Sequence, residues 1–236
     1  MKTYDKICLI TGASSGIGYA LANALKDDGY RLILTARREE RLATLKCDQV
    51  DIYPGDLTKP GFIEVLEDFV FNKFGKCDIL INNAGMIMAE PIETFDIEKM
   101  TAMLRLNIEA AFRLTYLFLK RFKIQGHGHV VNISSVLGTK VRSTAGAYSA
   151  TKFAIEALSE ALRLELVGSD IHISCIEPGL VLTELHDDWP VHPREGMGIH
   201  TPLKPEDIVE AVRYILKQPG YVRIPKLMIL PKDHNI

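Results

Sequence analysis

The chain has 236 residues, 47% hydrophobic and 25% charged, with a formal net charge of −2. That balance is ordinary for a globular domain and offers no basic surface for nucleic acid or an anionic membrane. No apolar run approaches the ~20 residues that a membrane-spanning helix needs.

Met1-Lys2-Thr3-Tyr4-Asp5-Lys6 lacks an apolar signal region. The four cysteines, Cys8, Cys47, Cys77 and Cys175, show no metal-ligand spacing. A reduced, cytoplasmic protein with no metal is therefore expected.

Short apolar runs alternate with longer helical patterns throughout. Strands are predicted at 6–11, 31–36, 50–54, 77–82, 128–134, 170–176 and 226–230, and helices at 16–28, 39–46, 60–74, 96–124, 145–167 and 205–217. Such alternation builds parallel strands joined by crossover helices, and strands apolar on both faces belong between two helical layers. The expected fold class is α/β: a single doubly wound Rossmann-type domain over 1–236, with a seven-stranded parallel sheet. Residues 183–202 break the alternation, carrying Pro190, Pro193, Pro202, Gly196 and Gly198 in a polar, His-rich stretch. They follow the C-terminal end of the sixth strand, the edge where open α/β sheets bind ligands, and are expected to form a substrate-binding loop or lid.

The first strand runs straight into Thr11-Gly-Ala-Ser-Ser-Gly-Ile-Gly18 and then a helix. A helix N-terminus presents unpaired N–H groups and positive dipole density, which bind phosphate. Gly12 and Gly16 let a pyrophosphate approach the main chain, and Gly18 lets helix and strand pack closely. Gly12, Ser14, Ser15, Gly16, Ile17 and Gly18 are thus the candidate dinucleotide-binding positions. The second strand ends on Ala36, where an acid would favour NAD, and continues with Arg37 and Arg38. Guanidinium groups grip a 2′-phosphate, so NADP(H) is expected in preference to NAD(H). Asp56 and Leu57, after the third strand, are candidates for the adenine end, with Asp56 equally suited to capping the following helix. After the fourth strand, Asn82 and Asn83 can tie strand ends together, while Ala84 and Gly85 leave room for a flat ring.

Tyr148 and Lys152 stand four apart near the start of a long helical pattern, so they share a face. A tyrosine with a pKa near 10 is a poor acid–base group at neutral pH, and a nearby ammonium lowers that pKa. The pair can therefore exchange a proton with an alcohol or carbonyl oxygen. Ser134 or Ser135, at the end of the fifth strand, can place a hydroxyl beside Tyr148.

Taken together, these motifs resemble the short-chain dehydrogenase/reductase family across nearly the whole chain. The matching residues are Thr11-Gly-x-x-x-Gly-x-Gly18, Asn82-Asn-Ala-Gly85, Asn107, Ser135, Tyr148-x-x-x-Lys152 and Pro178-Gly179 with Thr183. The resemblance implies that Tyr148 is the general acid/base. Lys152 would lower its pKa and hold the nicotinamide ribose, Ser135 would bind the substrate oxygen, and Asn107 would hold a relay water. Pro178, Gly179, the Val181 backbone and Thr183 would shape the nicotinamide site. It further implies a carbonyl or secondary-alcohol substrate and a homo-oligomer, a dimer or tetramer built from the 96–124 and 145–167 helices. Ser15 departs from the Arg or Lys that many NADP-preferring members carry there, so the NADP expectation leans on Ala36, Arg37 and Arg38.

Within that activity, a 3-oxoacyl thioester or a small 3-hydroxy acid is an alternative substrate, and a catalytically silent dinucleotide sensor is an alternative of another class. The loop residues His186, Trp189, His192, Met197 and His200 suit a pocket lining or an outer lid surface equally. His127 and His129 bracket a glycine before a strand and make a poor metal set. Ala147, Ala150, Ala154, Ala157 and Ala161 form a stripe of small residues, suited to packing on the sheet or on a partner helix.

Overall fold

The computed structural model describes residues 6–187, 189, 191 and 193–236. Its strands are β1 (Ile7–Thr11), β2 (Arg31–Thr35), β3 (Val50–Ile52), β4 (Ile79–Asn82), β5 (His127–Ile133), β6 (Asp170–Pro178) and β7 (Lys226–Ile229). They form one sheet in the order β3-β2-β1-β4-β5-β6-β7, and every pairing is parallel.

The alternation of side chains along each strand builds two cores. Cys8 and Ile10 of β1 join Leu32 and Leu34 of β2 on one face, under helices α1 (Gly16–Asp27) and α8 (Pro205–Leu216). Leu9 and Ile33 join Leu80 and Val130 on the other face. That face packs against α3 (Phe62–Phe74), α5 (Ala111–Gln125) and α6 (Gly146–Glu165) through residues such as Leu66, Phe118 and Leu162. β1 and β4 are buried along their whole length because both faces are covered.

A buried polar network crosses the sheet. Asn82 Nδ2 donates to Asn132 Oδ1 at 2.9 Å and to Thr115 Oγ1 at 3.0 Å, and Asn132 Nδ2 donates to Ser159 Oγ at 2.9 Å. The pair His127/His129 is divided between different partners. His127 Nε2 lies 3.0 Å from Asp78 Oδ1, and His129 Nε2 lies 3.0 Å from Ser174 Oγ.

One expectation is corrected and three readings are narrowed or detailed. The single helix over 96–124 is two α-helices, α4 (Ile97–Leu104) and α5, joined without a break by a π-helical segment, Arg105–Ala110. The loop after β6 contains a 3-10 turn (Glu184–His186) and a short helix α7 (Pro193–Gly196). Asp56 does not cap α3, whose N-cap is Gly61. The alanine stripe on α6 does not pack on the sheet: Ala150, Ala157 and Ala161 are exposed, and Ala147 and Ala154 are half-buried. The buried face of α6 is formed instead by Tyr148, Lys152, Ile155, Glu156, Ser159 and Leu162.

Candidate active site

The C-terminal ends of β1, β2, β4, β5 and β6 open onto a cavity of about 670 Å³. Its wall gathers Gly12, Ser14, Ser15, Gly16, Ile17, Arg37, Arg38, Asp56, Leu57, Asn83, Ala84, Gly85, Ser135, Tyr148, Lys152, Pro178, Gly179, Val181 and Thr183. Two expected site residues, Gly18 and Asn107, stand behind the wall.

The turn after β1 is held open by backbone geometry. Gly12 has φ +67 and Gly16 φ +52, in the region that favours glycine. A Cβ on Gly18 would lie 2.4 Å from Gly12 O and 2.5 Å from Asn83 Nδ2, so only glycine lets α1 seat this closely. Asn83 anchors the turn from β4: its Nδ2 donates to Thr11 O at 2.9 Å and to Gly12 O at 3.2 Å. Ser15 caps α1 through its backbone alone, and the first turn has no acidic side chain. The N-terminal N–H groups and their dipole therefore face the cavity without a competing anion. The cradle and its donors fit a dinucleotide pyrophosphate.

At the adenine end, Arg38 donates from Nε to Ser14 Oγ at 3.2 Å and from Nη2 to Ser15 Oγ. Its Nη1 donates to Glu184 Oε2 at 2.9 Å, and Arg41 binds the same carboxylate. Arg37 is exposed. Asp56 Oδ1 accepts from Thr58 N at 2.9 Å and Thr58 Oγ1 at 2.8 Å. Partial burial alone would raise its pKa, but those hydrogen bonds and the charges of Arg37 and Lys59 hold it below the usual value.

At the other end, β5 stops at Ile133 and the chain turns through Ser134 and Ser135. Ser135 caps a 3-10 turn (Val136–Gly138), accepting from Leu137 N at 3.1 Å, and its hydroxyl also hydrogen-bonds Tyr148. Burial pushes the Tyr148 phenol up to about 12, against the Ser135 hydrogen bond and the Arg142 charge. Burial also pushes Lys152 down to about 8, with Cys175 and Glu156 acting the other way. The expected lowering of the Tyr148 pKa by Lys152 is thus not met. Lys152 Nζ donates to Ile133 O at 2.9 Å and stands 5.8 Å from the centre of the Tyr148 ring, so burial outweighs it. At neutral pH the phenol keeps its proton, the form that donates to a carbonyl oxygen.

Asn107 is 3% exposed and lies in the π-helical segment. Its Oδ1 accepts from Met86 N at 2.9 Å, and its Nδ2 donates to Met86 O at 2.8 Å and Thr151 Oγ1 at 3.2 Å. The side chain therefore splints the loop after β4, at Met86, to α6. π-helical turns free backbone groups from the helical ladder and recur at functional sites.

The loop 183–202 leaves and returns through one stem, where Leu203 N donates to Leu180 O at 2.9 Å and Leu182 N to Leu203 O at 2.8 Å. His186 and Met197 line the cavity. Trp189 stands edge-on to His186, ring centres 5.1 Å apart, and His200 is exposed. His192 lies outside the described residues. The lining side chains that were not anticipated include Met86, Arg142 and His234. Only Arg142, a base without a nearby acid in sequence, left any trace.

Comparison with known proteins bears on the family and the fold. A family model described as short chain dehydrogenase matches residues 6–192. An uncharacterized oxidoreductase of Staphylococcus saprophyticus is 33% identical over 238 residues, spanning 98% of this chain and 99% of its own. The closed form of a serine dehydrogenase complexed with NADP+ superposes with a TM-score of 0.87 at 31% identity, covering 94% of each chain. An alcohol dehydrogenase from the archaeon Thermococcus sibiricus, complexed with 5-hydroxy-NADP, superposes with a TM-score of 0.86 at 32% identity, covering 98% of each.

Proposed function

The chain belongs to the short-chain dehydrogenase family, and from that premise we propose that it is an NADP(H)-dependent oxidoreductase interconverting a carbonyl and a secondary alcohol, with Tyr148 as general acid/base. One observation carries the reading: Ser135, Tyr148 and Lys152 meet on one wall of the cavity whose far end is the glycine cradle. When bound, the nicotinamide supplies or accepts the hydride.

The chain's own groups handle the oxygen. Ser135 orients it and stabilises charge developing there. In reduction, Tyr148 Oη gives its proton to the carbonyl oxygen; in oxidation, the phenolate takes the alcohol proton. Lys152, beside the ring, stabilises the phenolate and reaches the ribose side of the cavity. Asn107 would hold a relay water between Lys152 and solvent, its carboxamide fixed in place by Met86 and Thr151. Pro178, Gly179, Val181 and Thr183 bound the nicotinamide site, and 183–202 serves as the substrate lid.

Preference for NADP(H) is supported by Arg37 and Arg38 at the mouth of the cavity, the absence of an acid at Ala36, and the NADP-type ligands of the two similar structures. The outward-facing alanine stripe on α6 supports a dimer or tetramer, which sedimentation would read directly. The test is a panel of ketones and secondary alcohols run with NADPH/NADP+ and NADH/NAD+ in parallel. Turnover with kcat/KM at least about tenfold higher for the phosphorylated cofactor is expected; that is the factor which one charge-assisted contact supplies. Equal efficiency with NADH would refute the role of Arg37 and Arg38. NADPH binding without turnover of any substrate would favour the sensor.

A further inference from the structure

The cavity wall also carries side chains to which the dinucleotide reading gives no role. Among them are apolar side chains such as Ile87 and Leu137, together with Arg142, His186 and His234. The two acids that line the cavity, Asp56 and Glu184, are engaged elsewhere, with Thr58 and with Arg38 and Arg41.

Arg142 is half-buried and forms no ion pair among the described residues. Its hydrogen-bond acceptor there is the Met197 thioether sulfur, a weak one. Withdrawing a guanidinium from water without an anion is costly, and burial already holds the Arg142 pKa below its usual value. Its charge reaches both Tyr148 and His234, opposing the rise that burial causes in the pKa of the first and helping burial lower that of the second. His234 packs on Gly179, where a Cβ would meet its Nδ1 at 2.5 Å, and that nitrogen is buried with no partner among the described residues. Burial and Arg142 keep the imidazole neutral at pH 7, so it offers one hydrogen bond and no charge. One permanent cation with a planar fork suits the two oxygens of a carboxylate. A phosphomonoester, with nearly two charges, would call for more.

We propose that Arg142, with His234 beside it, binds a carboxylate of the substrate, so that the compound reduced at Tyr148 is the anion of a small oxo acid and the alcohol is the matching hydroxy acid. This rests on the oxidoreductase reading above and names its substrate class.

The catalytic arm uses oxopentanoates with the ketone at carbon two, three or four, each against its methyl ester, with NADPH as hydride donor. An acetoacetyl thioester is run beside them. Wild type should favour at least one acid over its ester by roughly 10- to 100-fold in kcat/KM, the range of a charge-assisted hydrogen bond. Arg142→Met should collapse that ratio, chiefly through KM for the acid, and Arg142→Lys should restore part of it. Equal use of acid and ester, a thioester preferred to every acid, or a ratio that survives Arg142→Met would overturn the proposal.

The binding arm needs no turnover. Pentanoate and pentanamide are titrated into the NADP+-loaded protein while the fluorescence of Trp189, the single tryptophan, is followed. Pentanoate should bind about tenfold tighter or more, and the difference should vanish in Arg142→Met. Equal binding of the amide would overturn the anion site. Tight pentanoate binding with no ketone reduced would instead count against the oxidoreductase reading while upholding the site.

Discussion

Glu184 pairs with Arg38, one of the two arginines proposed to hold a 2′-phosphate, and replacing it makes a quantitative prediction. Its carboxylate accepts from Arg38 Nη1 at 2.9 Å and from Arg41 Nη1 at 2.7 Å. The side chains are 40% exposed for Arg38 and 43% for Glu184, so each pair is worth only about 0.2–1 kcal/mol. Arg38 is the arginine of the two that lines the cavity. Freeing it by Glu184→Gln, which keeps shape and removes charge, should tighten NADPH binding by that one pair, about 1.5- to 5-fold in Kd. NADH, which has no 2′-phosphate, should be unaffected. Arg38→Ala should reverse the pattern, weakening NADPH about tenfold or more by loss of charge-assisted hydrogen bonds while sparing NADH. Equilibrium titration of cofactor fluorescence at low and high salt measures all of this, and the Glu184 effect should shrink as salt screens exposed charges. Unchanged NADPH affinity in Glu184→Gln, or an equal gain for NADH, would refute the assignment of Arg38 to the phosphate.

Gly18→Ala should destabilise the fold by about 1–3 kcal/mol, because the new Cβ meets backbone that cannot yield, and thermal melting should fall by roughly 2–4 °C per kcal/mol. NADPH affinity should drop with it, since the clash opens the cradle. Glu177 is 2% exposed, and burial together with the neighbouring Glu156 charge raises its pKa above 4.5 despite Lys226. Below 4.5 both folded and unfolded chains hold that proton. As pH rises above it, the unfolded chain loses the proton first, so this carboxyl costs increasing stability until its folded pKa is passed. Glu177→Gln should therefore raise the melting temperature at pH 8 but not at pH 4. An equal gain at both pH values, or a loss at pH 8, would contradict that origin.

Much of this was legible from the residues alone. All seven strands could be placed because most are compact apolar runs bounded by turn residues, and strand–helix alternation implies their parallel pairing. The glycine turn and the Tyr148/Lys152 spacing are local patterns, and local patterns survive folding. What escaped depends on distant neighbours. The π-helical turn at Asn107 shifts the register by a fraction of a turn, too little to interrupt the apolar periodicity of 96–124. The Tyr148 pKa is governed by burial, which spacing from Lys152 does not report. Arg142 and His234 lie 92 positions apart, and only the fold brings both to the wall of one cavity. The outward turn of the alanine stripe was equally hidden, since small residues suit a sheet and a partner helix alike.

The central claim is that Tyr148 moves the proton. Steady-state reduction of the best ketone in the panel by NADPH, compared between wild type and Tyr148→Phe, tests it most directly, with NADPH affinity measured on the same preparations. Loss of kcat/KM by about 10²- to 10⁴-fold, the usual contribution of a general acid, with NADPH still bound, is the predicted result. A phenylalanine variant that reduces the ketone within about tenfold of wild type, below the range that a general acid contributes, would contradict it.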